Sequence, residues 1–112
     1  MYMTTMTTIT TANDVVTLIN VFTVEPQQQQ RLVDVLVTAT ETVIGKQPGF
    51  VSANIHKSLD GTRVANYAQW RSREDFEAML ANPEAAAHMR EAATIATFDA
   101  HLYEVAFIDH AS

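Results

Sequence analysis

With 112 residues, 47% of them hydrophobic and none of them cysteine, the chain has the length of one domain, and a chain of this size buries roughly two thirds of its unfolded surface in a single core. Its formal charge of −6, from 13 acidic against 7 basic side chains without a Lys/Arg cluster, argues against nucleic acid and anionic membranes as partners. The missing cysteines remove disulfides, thiolate metal sites and thiol nucleophiles together, and fit a cytoplasmic setting.

Residues 1–13 carry neither a basic region nor an apolar run, so they read as a mobile polar tail and not as a secretory signal. No apolar stretch approaches the ~20 residues that span a bilayer. The expectation is a soluble chain with one domain over 14–109 and a short C-terminal tail over 110–112.

From Val15 to Val24 the chain is β-branched and aromatic on both faces, which predicts a strand buried on both sides. Pro26 suits the first turn of a helix, and Leu32, Val35, Leu36, Ala39 and Val43 then recur at helical spacing until Gly45 and Pro48 end the pattern. Glutamines 27–30 read as its solvated first turn. Phe50–Leu59 and Thr62–Arg71 flank Asp60-Gly61, a dipeptide favoured in two-residue type I′ turns, and so predict a hairpin. Ser72 can cap a helix with Phe76, Met79 and Leu80 on its apolar face, and Asn82-Pro83 breaks it before a second helix over 84–93. A last strand is expected from Phe98 to Ile108.

The order β-α-β-β-α-β, with the second helix split, is the ferredoxin-like α+β pattern: an antiparallel sheet with its helices on one face. The other face has no helix to cover it. Val15, Ile19, Val21, Val51, Ile55, Tyr67, Tyr103, Val105 and Phe107 are its candidates, and a patch of that kind predicts a homodimer joined through the open sheet face.

The stretch Asn66-Tyr67-Ala68-Gln69-Trp70 carries the functional signal. Alternation along a strand places Asn66, Ala68 and Trp70 on one face, so an amide and an indole N–H flank a small residue. Asn is depleted in strands and costly to bury without a partner, which points to a polar cavity. Structural readings stand beside this one. Asn66 can cap a bulge, Trp70 can be a core aromatic bonded to a backbone carbonyl, Arg90 can pair with Glu84 or Glu91, and His56 can be a satisfied strand histidine.

The chain resembles the antibiotic biosynthesis monooxygenase family of small dimeric α+β barrels. The resemblance covers roughly residues 14–108. It rests on the element order, on Gly49-Phe50 opening the second strand, on Asn66 and Trp70 four apart on the third, and on His88-Met89-Arg90 in the last helical region. It implies a cofactor-free oxidation of hydroxylated aromatics such as anthrones or hydroquinones by O2, in a pocket between sheet and helices. By the same resemblance Asn66 and Trp70 hold substrate or oxygen, Arg90 balances negative charge and His56 is a pocket histidine able to take a proton. Phe22, Phe76, Met79 and Leu80 would contact the substrate. Where related enzymes carry a Tyr six residues after the Trp, this chain has Phe76, so a phenolic hydroxyl is lost there. Haem-degrading relatives of this fold offer a competing reading through Asn20 and His88, with Met79 where their Trp would fall. A non-catalytic ligand-binding barrel is a third; it would fill the pocket space with Phe22, Met79 and Leu102, whereas an enzyme needs Asn66, Trp70 and Arg90 to converge.

Overall fold

The structure, a computed structural model, describes residues 6–112, and the first five residues of the expected tail lie outside the described residues. Four strands form one antiparallel sheet in the order β2-β3-β1-β4: β1 is Val16–Val24, β2 Phe50–Lys57, β3 Arg63–Trp70 and β4 Ala96–Tyr103. Three helices, α1 (Gln29–Thr42), α2 (Arg73–Leu80) and α3 (Pro83–Ala93), cover one face. This is the ferredoxin-like α+β fold expected from the sequence. Pro26 opens a 3-10 turn through Gln28 that leads into α1, which suits a residue without an amide N–H.

Alternation along the central strands decides what the helices meet. Leu18, Phe22 and Val24 on β1 and Val64, Ala68 and Trp70 on β3 are buried on the helix face. The core divides into two clusters. One joins Phe22 and Val64 to Leu32, Val35 and Leu36 of α1, and the other joins Leu18, Ala68 and Trp70 to Met79 and Ala85. In the β1–β3 register Phe22 pairs with Val64, Asn20 with Asn66 and Leu18 with Ala68, so an amide row separates the clusters.

Four expectations need correction. The hairpin forms, but its connection runs from Ser58 to Thr62, with the Ser58 N–H donating to the Arg63 carbonyl at 2.9 Å. A type I′ turn requires positive φ at both central residues. Gly61 has φ 82°, whereas Asp60 is not among the positive-φ residues. The Asp60 carboxylate instead gathers donors, accepting from Ser58 Oγ at 2.7 Å and from the Thr62 N–H and Oγ1 at 3.0 and 2.7 Å.

The last strand ends at Tyr103, not Ile108. Tyr103 is already paired with Thr17, and the Val105 N–H is taken by Asn13 Oδ1 at 2.8 Å, so it cannot extend the ladder.

Ile55 lies on the helix face, packed beside the first cluster and opposite Asn66, instead of on the open face. The cause is a bulge between Phe50 and Ser52, which adds one residue and reverses the alternation along the rest of β2.

The described part of the expected tail is not free. Thr7 Oγ1 donates to Asn54 Oδ1 at 2.7 Å, and Gln69 Nε2 donates to the Thr8 carbonyl at 2.8 Å. Asn13, in the left-handed region at φ 54°, also donates through Nδ2 to the Val105 carbonyl at 3.1 Å. This strap crosses the open face over Thr17 and Gln69, which are buried in consequence. Among the described residues no helix is long and apolar enough to cross a membrane.

Candidate active site

Between the helix-covered sheet face and α2–α3 lies a cleft of about 700 Å³. Its position follows from the local sequence. Gly49, at φ 83°, packs where a Cβ would overlap the Asp75 carboxyl group, and its carbonyl accepts from the Arg71 N–H at 2.8 Å. The end of β3 and the start of α2 are thereby fixed beside the start of β2. Ser72 Oγ accepts from the Asp75 N–H at 3.0 Å and caps α2. Asn82 Oδ1 accepts from the Glu84 and Ala85 N–H groups at 2.9 and 3.1 Å, with Pro83 opening α3. The break turns Ala85, Ala86, Met89 and Arg90 toward the cleft, and the alanines leave it open.

Trp70 is 1% exposed and forms the floor, held edge-on by Phe50 and Phe76 at centroid distances of 5.5 and 6.1 Å. Asn20 and Asn66 stand side by side on β1 and β3. The Oδ1 atom of each is buried with no hydrogen-bond partner. An unmade bond of this kind costs about 1–3 kcal/mol, so the pair carries unmet polar demand beside a mainly apolar part of the cleft. A carboxamide offers an acceptor and a donor, so each end can receive a phenolic O–H or donate to the phenolate left after deprotonation.

Of the residues expected at the site, Asn66, Trp70, Arg90, Phe76, Met79, Phe22 and Leu80 all line this cleft. Phe22, Met79 and Leu102 are there too, but as walls, and they leave the space open. His56 is not brought in. The β2 bulge that moves Ile55 inward turns His56 outward, opposite Ala65 on the open face, where its ring Nδ1 lies 3.0 Å from the Asn54 carbonyl oxygen. For the haem reading, Asn20 lines the cleft, but His88 is not among the lining residues, so the expected iron ligand is out of place. Asn20, expected only in the haem alternative, stands beside Asn66; a polar side chain in step with Leu18 and Phe22 inside an apolar strand is the signal that could have paired it with the site.

An antiparallel sheet with helices on one face, and a mainly apolar cleft with two amides in its lining, defines a protein of the ferredoxin-like class with a site of small-molecule size. The chain belongs to the antibiotic biosynthesis monooxygenase family, whose model matches residues 15–91, and it is accordingly a monooxygenase. It is 53% identical over 83 residues to tetracenomycin-F1 monooxygenase of Streptomyces glaucescens, covering 74% of each chain. Among solved structures it is similar to the monooxygenase from ActVA-Orf6 of Streptomyces coelicolor, crystallised with nanaomycin D, with 27% identity, a TM-score of 0.79 and coverage of 90% of this chain and 96% of that one. SnoaB, a cofactor-independent oxygenase from Streptomyces nogalater, has the same fold at 24% identity and a TM-score of 0.71, over 85% of this chain and 96% of its own.

Proposed function

We propose that this protein is a cofactor-independent monooxygenase that converts a hydroxylated polycyclic aromatic, such as an anthrone or hydroquinone, to a quinone with O2. The observation that carries the reading is the pair of unpartnered amide oxygens of Asn20 and Asn66 in an aromatic-lined cleft. The similarity to tetracenomycin-F1 monooxygenase and the cofactor-independent oxygenase SnoaB supports it.

In this reading the Asn20 and Asn66 amides rotate to meet the substrate oxygens, accepting a phenolic O–H at Oδ1. After loss of a proton they stabilise the anion through Nδ2, an electrostatic contribution that is largest where water is excluded. Trp70 packs against the rings, and its indole offers an N–H donor. The anion supplies the electron to O2, and the resulting radical pair recombines at the acidic carbon to give a peroxide. The released proton returns to that peroxide, which loses water and leaves a carbonyl. For an anthrone the balance is CH2 plus O2 giving C=O plus H2O; a hydroquinone, which has no such CH2, takes the oxygen at a ring C–H and gives a hydroxyquinone plus H2O. Arg90 balances negative charge during these steps.

A homodimer through the part of the open face that the strap leaves bare, around Ile19, Val21, Tyr67 and Tyr103, belongs to the same proposal. Sedimentation at micromolar concentration checks it, and a monomer there would remove it.

The decisive experiment gives the metal-stripped protein an anthrone under 18O2. One labelled atom should appear in the quinone and one in water, and Trp70→Phe should lower the rate about tenfold or more. Hydrogen peroxide formed in place of labelled quinone would reject the reading.

A further inference from the structure

The chain has no cysteine, and of its five methionines Met79 and Met89 line the cleft. These two thioethers stand on opposite sides of the amide row. Met79, 5% exposed, belongs to the cluster of Leu18, Ala68 and Trp70, whereas Met89 is half-buried and packs beside the cluster of Phe22 and Val64. Side chains on a helix lean toward its N-terminus, so Met89, on α3, leans over Ala85 and Ala86 one turn back. Neither alanine is long enough to cover its sulfur. An unbranched thioether in that place is adaptable and polarisable, and its sulfur takes oxygen from a peroxide to become a sulfoxide. Trp70, the chain's single tryptophan, faces the same oxidant as the floor of the cleft. Phe50 and Phe76 hold its ring edge-on, so it has no room to turn away.

We propose that Met89 is a sacrificial oxygen acceptor: it takes one oxygen atom from hydroperoxide that fails to lose water, becomes methionine sulfoxide, and so spares Trp70. This rests on the peroxide-forming reaction read for the cleft and adds a modification site to it. In the step, a lone pair on the Met89 sulfur attacks the outer peroxide oxygen, an S–O bond forms and the O–O bond breaks. Sulfur is oxidised by two electrons. The peroxide is reduced to the alcohol, whose C–O oxygen takes up the proton that the outer oxygen carried, so no other reagent is consumed. A hydroperoxide held beside the thioether reacts as an intramolecular partner does, and position then selects the methionine in place of exposure to solvent. Met6 provides the contrast: it is 75% exposed, belongs to the strap and does not line the cleft, so a peroxide free in solution reaches it first. The sulfoxide sets a polar S–O group in an apolar wall, and its reduction restores the thioether.

The test gives the full chain an anthrone under 18O2, with catalase present to destroy hydrogen peroxide that leaves the cleft, and maps its peptides by mass spectrometry after many turnovers. Labelled sulfoxide should be about tenfold more abundant at Met89 than at Met6, whereas hydrogen peroxide added without anthrone or catalase should reverse that order. Met89→Leu, which keeps the volume and the apolar character, should raise the labelled oxygen found on Trp70 severalfold. Counting label per turnover makes this readout independent of any change in rate. Labelled quinone with no label on Met89, with equal label on Met6 and Met89, or with a Trp70 label unmoved by Met89→Leu, would overturn the inference and leave the monooxygenase reading standing. No labelled quinone, but Met89 labelled ahead of Met6, would reject that reading and keep Met89 as the acceptor for peroxide formed in the cleft. Absence of label from both quinone and Met89 would end both.

Discussion

Asn20 and Asn66 face each other across the central β1–β3 ladder, and each buries an amide oxygen without a hydrogen-bond partner. The residues before and after them in register, Phe22 with Val64 and Leu18 with Ala68, are core pairs, so the amides interrupt the apolar interior at one row only. An interior amide left unpaired at a cost of about 1–3 kcal/mol marks stability given up for binding. Asn20→Ala and Asn66→Ala should each melt at or a few degrees above the wild type while lowering kcat about a hundredfold, the size of effect found when an oxyanion donor is removed. Thermal melts beside oxygen-uptake rates check this; a loss of several degrees with activity retained would mean that the amides are structural.

His56 points away from the cleft because of the extra residue at the start of β2. His56→Ala should leave kcat within about twofold of the wild type, in keeping with an exposed substitution far from the chemistry. Its pH–rate profile should also keep its shape, since no titrating group of the cleft has been removed. A lost acidic limb in that profile would return the histidine to the reaction.

Local patterns carried most of the fold. The apolar run of β1, the helical spacing from Leu32 to Val43, the Ser72 cap, the break at Asn82-Pro83 and the alternation of Asn66, Ala68 and Trp70 are each local to one element or its end, and each is found where expected. What the sequence did not disclose depends on neighbours. A bulge is one additional residue whose position is decided by pairing with β3, and missing it reversed the faces of Ile55 and His56 together. The strap over Gln69 arises from long-range hydrogen bonds between polar residues that have no periodicity to read. The pairing of Asn20 with Asn66 needed the register of two strands far apart in the chain, and neither residue alone announces it.

The turn at Asp60 should make the hairpin sensitive to acid. Hydrogen bonds from the Thr62 hydroxyl and N–H and from the Ser58 hydroxyl, with a lesser contribution from the Arg63 charge, hold its pKa down at about 2 from 3.8. A carboxyl group with a depressed folded pKa stabilises the fold above its unfolded pKa, and that contribution is lost as the pH falls through the folded value. The window is therefore from about pH 4 down to about pH 2. Asp60→Asn should flatten the fall of Tm across that window relative to the wild type while changing kcat little, because the turn lies outside the residues lining the cleft. Parallel melting curves for the two proteins between pH 4 and 2 would show that the turn does not titrate in this way.

Gln69 ties three segments together. It is 3% exposed, accepts from Ser52 Oγ at 2.8 Å and donates to the Thr8 carbonyl at 2.8 Å. Gln69→Ala leaves both partners without it and should cost about 1–3 kcal/mol, read as a lower denaturant midpoint. Deleting residues 1–12 removes the strap and lets water reach Gln69, so part of the same bonding is lost by another route. The two changes should not add: in the truncated chain Gln69→Ala should cost less than in the full chain by about 0.5–1.5 kcal/mol, the coupling expected of groups in direct contact. Strict additivity would mean that the Gln69–Thr8 bond contributes nothing measurable, and that the buried amide of Gln69 draws its support from Ser52 alone.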